Sequence, residues 1–338
     1  MDKKSITIYD IAKESGVSAS TVSRVISGNV AVSKDAKERV KKAIEKYHFI
    51  LNAMAKGLKE QRSKVIGVIV PDIKNPYFSN LFYELQIRAI QEDFMVFLCN
   101  TYEDPQIELR MVHALMNKQV EAMVIICGAL DYRACDKAYI KEIEMLSRKI
   151  PFVITTHTDK LDCIRVINND KECMKLLTAH LAQKGYQKVA LVGGHNGVIP
   201  SYDRRRYFLR YAEEYGLKTR KEWMIDGGFN IESGIAFMEK LWTKDKKPDA
   251  VCGINDLIAL GILKFAQEQG LQVPKDLGVM GCDGIAQGAT SYPALSTIAT
   301  PYHQFGEEIM KVILLALQNK VYKKCITIDM KLIERQST

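Results

Sequence analysis

From Val65 onward the chain alternates short apolar runs with longer amphipathic stretches, and this constrains its fold more than any other feature. VIGVIVP (65–71), FMVFLC (94–99), AMVIIC (122–127), FVIT (152–155), KVALVGG (188–194), DAVCGI (249–254) and LGVMGC (277–282) read as strands buried on both faces. Helical patterning fills the intervals at 77–91, 106–117, 171–184, 204–214, 231–242 and 256–269. Strands of this kind separated by helices form parallel sheets covered on each face. The 274 residues after Lys64 exceed what one such sheet needs, which predicts two doubly wound lobes around a cleft.

Charge separates this body from what precedes it. Residues 1–64 hold 14 Lys and Arg against 7 Asp and Glu, whereas the other 274 hold 34 against 33. A basic module on a nearly neutral body is the layout of a chain that grips a polyanion at one end. No apolar run approaches the length of a membrane span and MDKKSITIYD has no signal-peptide core, so a cytoplasmic location is expected. The eight cysteines are scattered without a CxxC pair, which points to reduced thiols rather than a disulfide framework or zinc site.

The basic module reads as three short helices. Ile8, Ile11 and Ala12 share a helical face before Gly16 breaks the helix. Ser18 caps a second helix over 19–26, with Val22, Val25 and Ile26 inward and Ala19, Ser20, Ser23 and Arg24 outward. Ser33 caps a third helix striped by Ala36, Val40, Ala43, Ile44 and Tyr47. This is the order of an all-α helix-turn-helix module.

The run TIYDIAKESGVSASTVSRVISG (7–28) resembles the signature of the LacI/GalR family of bacterial repressors across the first helix, the turn and the recognition helix. The resemblance covers the whole chain, through PDIKNPYF (71–78), GINDLIALG (253–261), VMGCD (279–283) and LSTI (295–298) in the body. It implies a periplasmic-binding-protein-like sensor of two α/β lobes crossed three times, 64–165 with 300–321 and 166–299 with 322–338, after a helix-turn-helix domain (1–50) and a hinge (51–63). It also implies a homodimer on pseudo-palindromic operator DNA, no cofactor, and a small sugar-like effector between the lobes.

Site residues follow by resemblance. Ala19, Ser20 and Arg24 would read bases, the short side chains letting the helix sink into the major groove while Arg24 reaches guanine O6 and N7. Thr7, Tyr9, Ser18, Thr21, Ser23 and Ser33 would hold phosphates and fix the register. In the hinge, Asn52 and Ala55 would support a short helix on DNA and Leu58 would wedge into the minor groove. Leu51 stands where the family usually has proline, and Gly57 weakens that helix.

Effector contacts are expected from Pro76, Phe78, Ser79 and Thr156 in the first lobe and Arg204, Phe229, Asn255 and Asp283 in the second. Asn255 and Asp283 directly follow apolar runs, where a parallel sheet opens its crevice, and an amide beside a carboxylate suits vicinal hydroxyls. A loop cap is the competing role for both, core packing for Phe229, and a solvated face for Arg204 within Arg204-Arg205-Arg206. Tyr207 replaces a family glycine, and Thr156 a position often acidic, which admits a phosphorylated or acidic sugar. A sugar kinase or isomerase fits the body but leaves the basic module without a role. Gly193-Gly194-His195-Asn196-Gly197 lacks GK[ST], and neither HExxH nor G-x-S-x-G occurs.

Overall fold

The computed structural model describes residues 6–26, 32–47, 49 and 63–338, in two compact units divided between Ser63 and Lys64. The hinge residues Asn52, Ala55 and Leu58 lie outside the described residues.

The first unit contains helices α1 (Ile8–Ser15), α2 (Ala19–Ile26) and α3 (Lys34–Tyr47). Thr7 begins α1 with a reciprocal capping box: its hydroxyl accepts from the Asp10 amide, and the Asp10 carboxylate accepts from the Thr7 amide at 2.8 Å. Gly16 ends the helix in the left-handed conformation at φ 63°, which a residue without Cβ adopts at little cost. Ser18 accepts from the Thr21 amide at 3.2 Å and Ser33 from the Ala36 amide at 3.3 Å, so each helix starts on a hydroxyl cap. Ile11, Ala12, Val22, Val40 and Ala43 form the small core, and Glu14 joins α1 to α3 through Lys46 at 2.6 Å and the Tyr47 hydroxyl at 3.0 Å.

The second unit has two sheets. In the first lobe, β1 (Val65–Val70), β2 (Met95–Asn100), β3 (Ala122–Ile125), β4 (Phe152–Ile154), β5 (Ile164–Asn168) and β10 (Cys325–Ile328) run parallel in the order β10-β5-β4-β3-β1-β2. Helices α4 (Pro76–Gln91) and α12 (Tyr302–Leu317) pack on one face around Leu81, Leu85, Phe305 and Ile309. On the other face, α5 (Pro105–Asn117) and α6 (Lys137–Ser147) enclose Val112, Leu115, Ile143 and Phe152.

The second lobe orders its strands β11-β9-β8-β7-β6: β6 (Val189–Val192), β7 (Ala250–Gly253), β8 (Gly278–Asp283), β9 (Ser296–Ala299) and β11 (Lys331–Ile333). Only β11 is antiparallel, pairing Leu332 with Ile298. Helices α7 (Asp170–Gln183) and α8 (Ile199–Glu214) cover one face, and α9 (Ile231–Trp242) and α10 (Asp256–Glu268) the other, with α11 (Ala286–Thr290) between β8 and β9. A Cβ on Gly261 would lie 2.2 Å from the Ile231 carbonyl and one on Gly234 2.3 Å from the Ile258 carbonyl, so these glycines let α9 and α10 touch backbone to backbone.

Three expectations need correction. The lobe boundaries fall later than 165 and 321, because β5 stays in the first sheet to Asn168 and β10 returns to it before β11 crosses over. The run at 94–99 is not buried on both faces: β2 is an edge strand with one neighbour, and Met95, Phe97 and Leu98 are exposed. Ala19 does not face fully outward but packs half-buried against the small core.

Candidate effector cleft and DNA-reading helix

The strands of both lobes end at a common cavity of about 170 Å³. Pro71, Thr101, Cys127, Thr155, Asn168, Ile254, Asn255 and Asp283, at or just after strand ends, all line it, as crevice geometry in parallel sheets requires.

Arg204 also lines the cavity. It is buried on α8, where Nε donates to Asp170 Oδ1 at 2.7 Å and a terminal nitrogen donates to the Ile254 carbonyl at 2.8 Å. Asp283 Oδ1 lies 4.0 Å away, beyond a hydrogen bond. The arginine run therefore divides by helical angle. Arg205 donates to the Gly193 and Ile225 carbonyls as a buried brace, and Arg206 lies on the surface 3.2 Å from Asp203.

Asp283 ends β8 at φ 129°, a sparsely populated conformation for a side-chain-bearing residue. The neighbouring turn is fixed by Asp256, whose carboxylate accepts from the Gly284 and Ile285 amides at 2.8 Å and from the Thr297 hydroxyl at 2.6 Å. Burial, with the Cys282 thiol next, pushes the Asp283 carboxyl well above the usual range, while Arg204 pulls it the other way.

Asn255 lines the cavity but serves first as the cap of α10: Oδ1 accepts from the Ile258 amide and Nδ2 donates to the Phe229 carbonyl, both at 2.9 Å. Its brace on Phe229 holds an aromatic that also borders the cavity, edge-on to His195 with centroids 5.4 Å apart. The amides of Gly193 and Gly194 donate to the Ile225 and Gly228 carbonyls at 3.0 and 2.8 Å and that of Asn196 to Asp226 Oδ1 at 3.0 Å, so these three amides are not available to cradle a phosphate.

In the first lobe Phe78 lines the cavity, but Pro76, Ser79 and Thr156 do not. Pro76 and Ser79 are three apart and share the other face of α4, where the Ser79 hydroxyl donates back to the Pro76 carbonyl at 3.2 Å. The chain leaving β4 presents Thr155 and His157 instead of Thr156, which is buried. Residues the sequence reading missed complete the wall: Tyr77, Glu108, Asp131, Asn168, Asp170 and His195. Asp170 follows β5 as Asn255 follows β7, but β5 is broken by Arg165 and does not read as an apolar run.

In the basic unit, Ser20 and Arg24 are exposed and Ser23 and Thr21 half-exposed along α2. Tyr9 is 74% exposed at the start of α1. Thr7, Ser18 and Ser33 are exposed N-caps, so each marks a helix end whose dipole favours an anion.

Residues 7–52 match the model of bacterial regulatory proteins of the lacI family, and residues 178–338 match that of the periplasmic binding protein-like domain. The HTH-type transcriptional repressor PurR of Actinobacillus pleuropneumoniae serotype 3 (strain JL03) is 30% identical over 316 residues, covering 91% of this chain and 90% of that protein. The chain belongs to the LacI family. Catabolite control protein A of Priestia megaterium is 28% identical, covering 91% of both chains. In fold, this LacI-family chain superposes on the lac repressor dimer bound to operator and the anti-inducer ONPF, with TM-score 0.89, 24% identity and 99% of both chains covered. It also superposes on a LacI family regulator of Enterococcus faecium with bound ribose, with TM-score 0.69, 24% identity, and 81% of this chain and 98% of that chain covered. It is therefore a DNA-binding transcription regulator with an effector-binding body, and the kinase and isomerase readings fall with that membership.

Proposed function

We propose that this chain is a cytoplasmic, homodimeric repressor whose affinity for a pseudo-palindromic operator is set by a small sugar-like effector held between its lobes. The observation that carries this reading is the joining, in one chain, of an exposed α2 bearing Ser20 and Arg24 to a two-lobed body with a polar cleft. Arg24 and Ser20 read base edges, with Ala19 in van der Waals contact; Tyr9, Thr21 and Ser23, with the helix starts at Thr7, Ser18 and Ser33, hold phosphates. Asn52, Ala55 and Leu58 form the minor-groove hinge.

In the cleft, Arg204 binds acceptor groups and Asp283 donor groups, Phe78 and Phe229 pack on apolar faces, and Asn255 positions Phe229. The closing of one lobe on the other links effector to DNA, and the coupling is reciprocal. Dimerisation is supported by apolar side chains left exposed on the first lobe, Tyr83 and Ile90 on α4 and Met95 on the edge strand β2, which favour burial against another copy. Among the described residues no helix is long and apolar enough to cross a membrane.

The test is selection of the full chain on randomised duplexes, followed by fluorescence anisotropy. A two-fold symmetric consensus is expected, and Arg24→Ala should lose about 1–3 kcal/mol of discrimination at one base pair per half-site. Selection of no consensus, or an unchanged one in the variant, would overturn the assignment.

A further inference from the structure

The first-lobe wall of the cleft carries a carboxyl group that none of the roles above uses. Asp131 ends a short helical turn over Ala129–Asp131 beyond β3, is 4% exposed, and lines the cavity. Its Oδ1 is fully buried and forms no hydrogen bond of normal geometry, the carboxyl having only the neighbouring Cys127 thiol and Gly128 backbone as weak polar company. The turn is rigid: Glu108 accepts from the Ala129 amide at 3.0 Å and from the Tyr139 hydroxyl. Asn168 Oδ1, also buried and lining the cavity, is a second acceptor without a partner.

The surroundings say what would satisfy Asp131. Glu108, Asp170 and Asp283 line the same cavity, and its one arginine, Arg204, is already committed to Asp170 and the Ile254 carbonyl. Among the described residues no lysine lines the cavity, and Lys160 donates to the Tyr132 carbonyl at 2.5 Å on the exposed side. A ligand hydroxyl would fill the vacant hydrogen bond but bring no positive charge to favour ionisation of the Asp131 carboxyl, which burial holds up. A protonated amine supplies both donor and charge, and Tyr77, Phe78 and Tyr132 add aromatic faces that suit a cation.

We propose that Asp131 anchors a protonated amine of the effector, which makes that effector a cationic small molecule such as an amino sugar rather than a phosphorylated or acidic one. The inference rests on the reading of the cleft as the effector site. It also places the amine beside a contact between lobes: the Arg133 amide donates to the Gly197 carbonyl at 2.8 Å, Tyr132 bridges to Val198, and the Arg133 guanidinium lies 4.1 Å over the Tyr202 ring. An occupied Asp131 therefore fixes the turn through which the first lobe holds the second. Burial pushes the Asp131 carboxyl up to about 7; Cys127 lowers it, and Glu108 and Asp170 raise it. A bound cation draws it down again, so binding near neutral pH releases protons.

The experiment is calorimetric titration of the full chain and of Asp131→Asn with D-glucosamine, D-galactosamine and agmatine, against glucose, galactose and their 6-phosphates. An amine is expected to bind wild type about tenfold or more tighter than its neutral or phosphorylated counterparts, with proton release that varies with buffer ionisation heat, and to lose about tenfold or more in the variant. The wild-type ranking stands even if the variant does not fold. No binding by any amine at about 10 mM, tighter binding of a phosphate, or unchanged amine affinity in Asp131→Asn overturns the proposal. A neutral or acidic sugar that binds and alters operator affinity would overturn it too, while leaving the effector-cleft reading intact.

Discussion

Asp131→Asn should change how stability depends on pH, and the size of the change follows from burial. The carboxyl is pushed up from 3.8 to about 7, chiefly by removal from water. Between these values the folded protein holds a proton that the unfolded chain has released, so stability falls as pH rises, by about 1.4 kcal/mol per pH unit. The sign is opposite to that of a salt-bridged carboxylate: the folded state is favoured below the unfolded pKa and penalised progressively up to the folded one. Over the interval the penalty reaches about 4 kcal/mol. The asparagine variant cannot ionise, so its unfolding free energy minus that of wild type should rise by about 4 kcal/mol from pH 4 to pH 8. Urea unfolding of both proteins, followed by tryptophan fluorescence across that range, measures it. A difference constant to within about 1 kcal/mol would show that Asp131 is solvated and that the account of its burial is wrong.

Arg204→Leu should cost about 3–5 kcal/mol in urea unfolding, because it leaves the Asp170 carboxylate buried without its partner. Gly261→Ala should lower stability by about 1–3 kcal/mol by forcing α9 from α10, whereas alanine at Gly270, with open space around it but φ 67°, should cost less. Thr7→Ala removes the α1 cap and should destabilise the basic unit by about 1 kcal/mol, read from amide exchange of α1, with the body unaffected.

The legible part of this molecule was the part written in periodicity. The seven apolar runs from 65 to 282 correspond to strands; a parallel strand covered on each face needs apolar side chains in sequence, and of these only the edge strand β2 is apolar without that cover. The four strands that escaped notice are short or interrupted: β5 contains Arg165, β9 opens on the polar Ser296 and Thr297, and β10 and β11 sit at sheet edges with exposed positions. Without β5, Asp170 had no strand end to follow, and the first lobe crossing was placed too early. Residues directly after recognised strands, Asn255 and Asp283, were found in the cleft. Asp131 lies on an irregular turn past β3, where no period marks which side chain points inward. Pro76 and Ser79 show the converse: a motif locates a helix start but not which of its faces meets the cavity.

The late return of β10 bears on how the protein is made. Its strand completes the first lobe only after the second lobe's β6 to β9 have been synthesised, and β11 finishes the second lobe a few residues later. Neither lobe can close early on the ribosome in the usual order of one domain after another. Both wait on the same final stretch of chain, so a truncation before Cys325 removes a strand from each sheet at once.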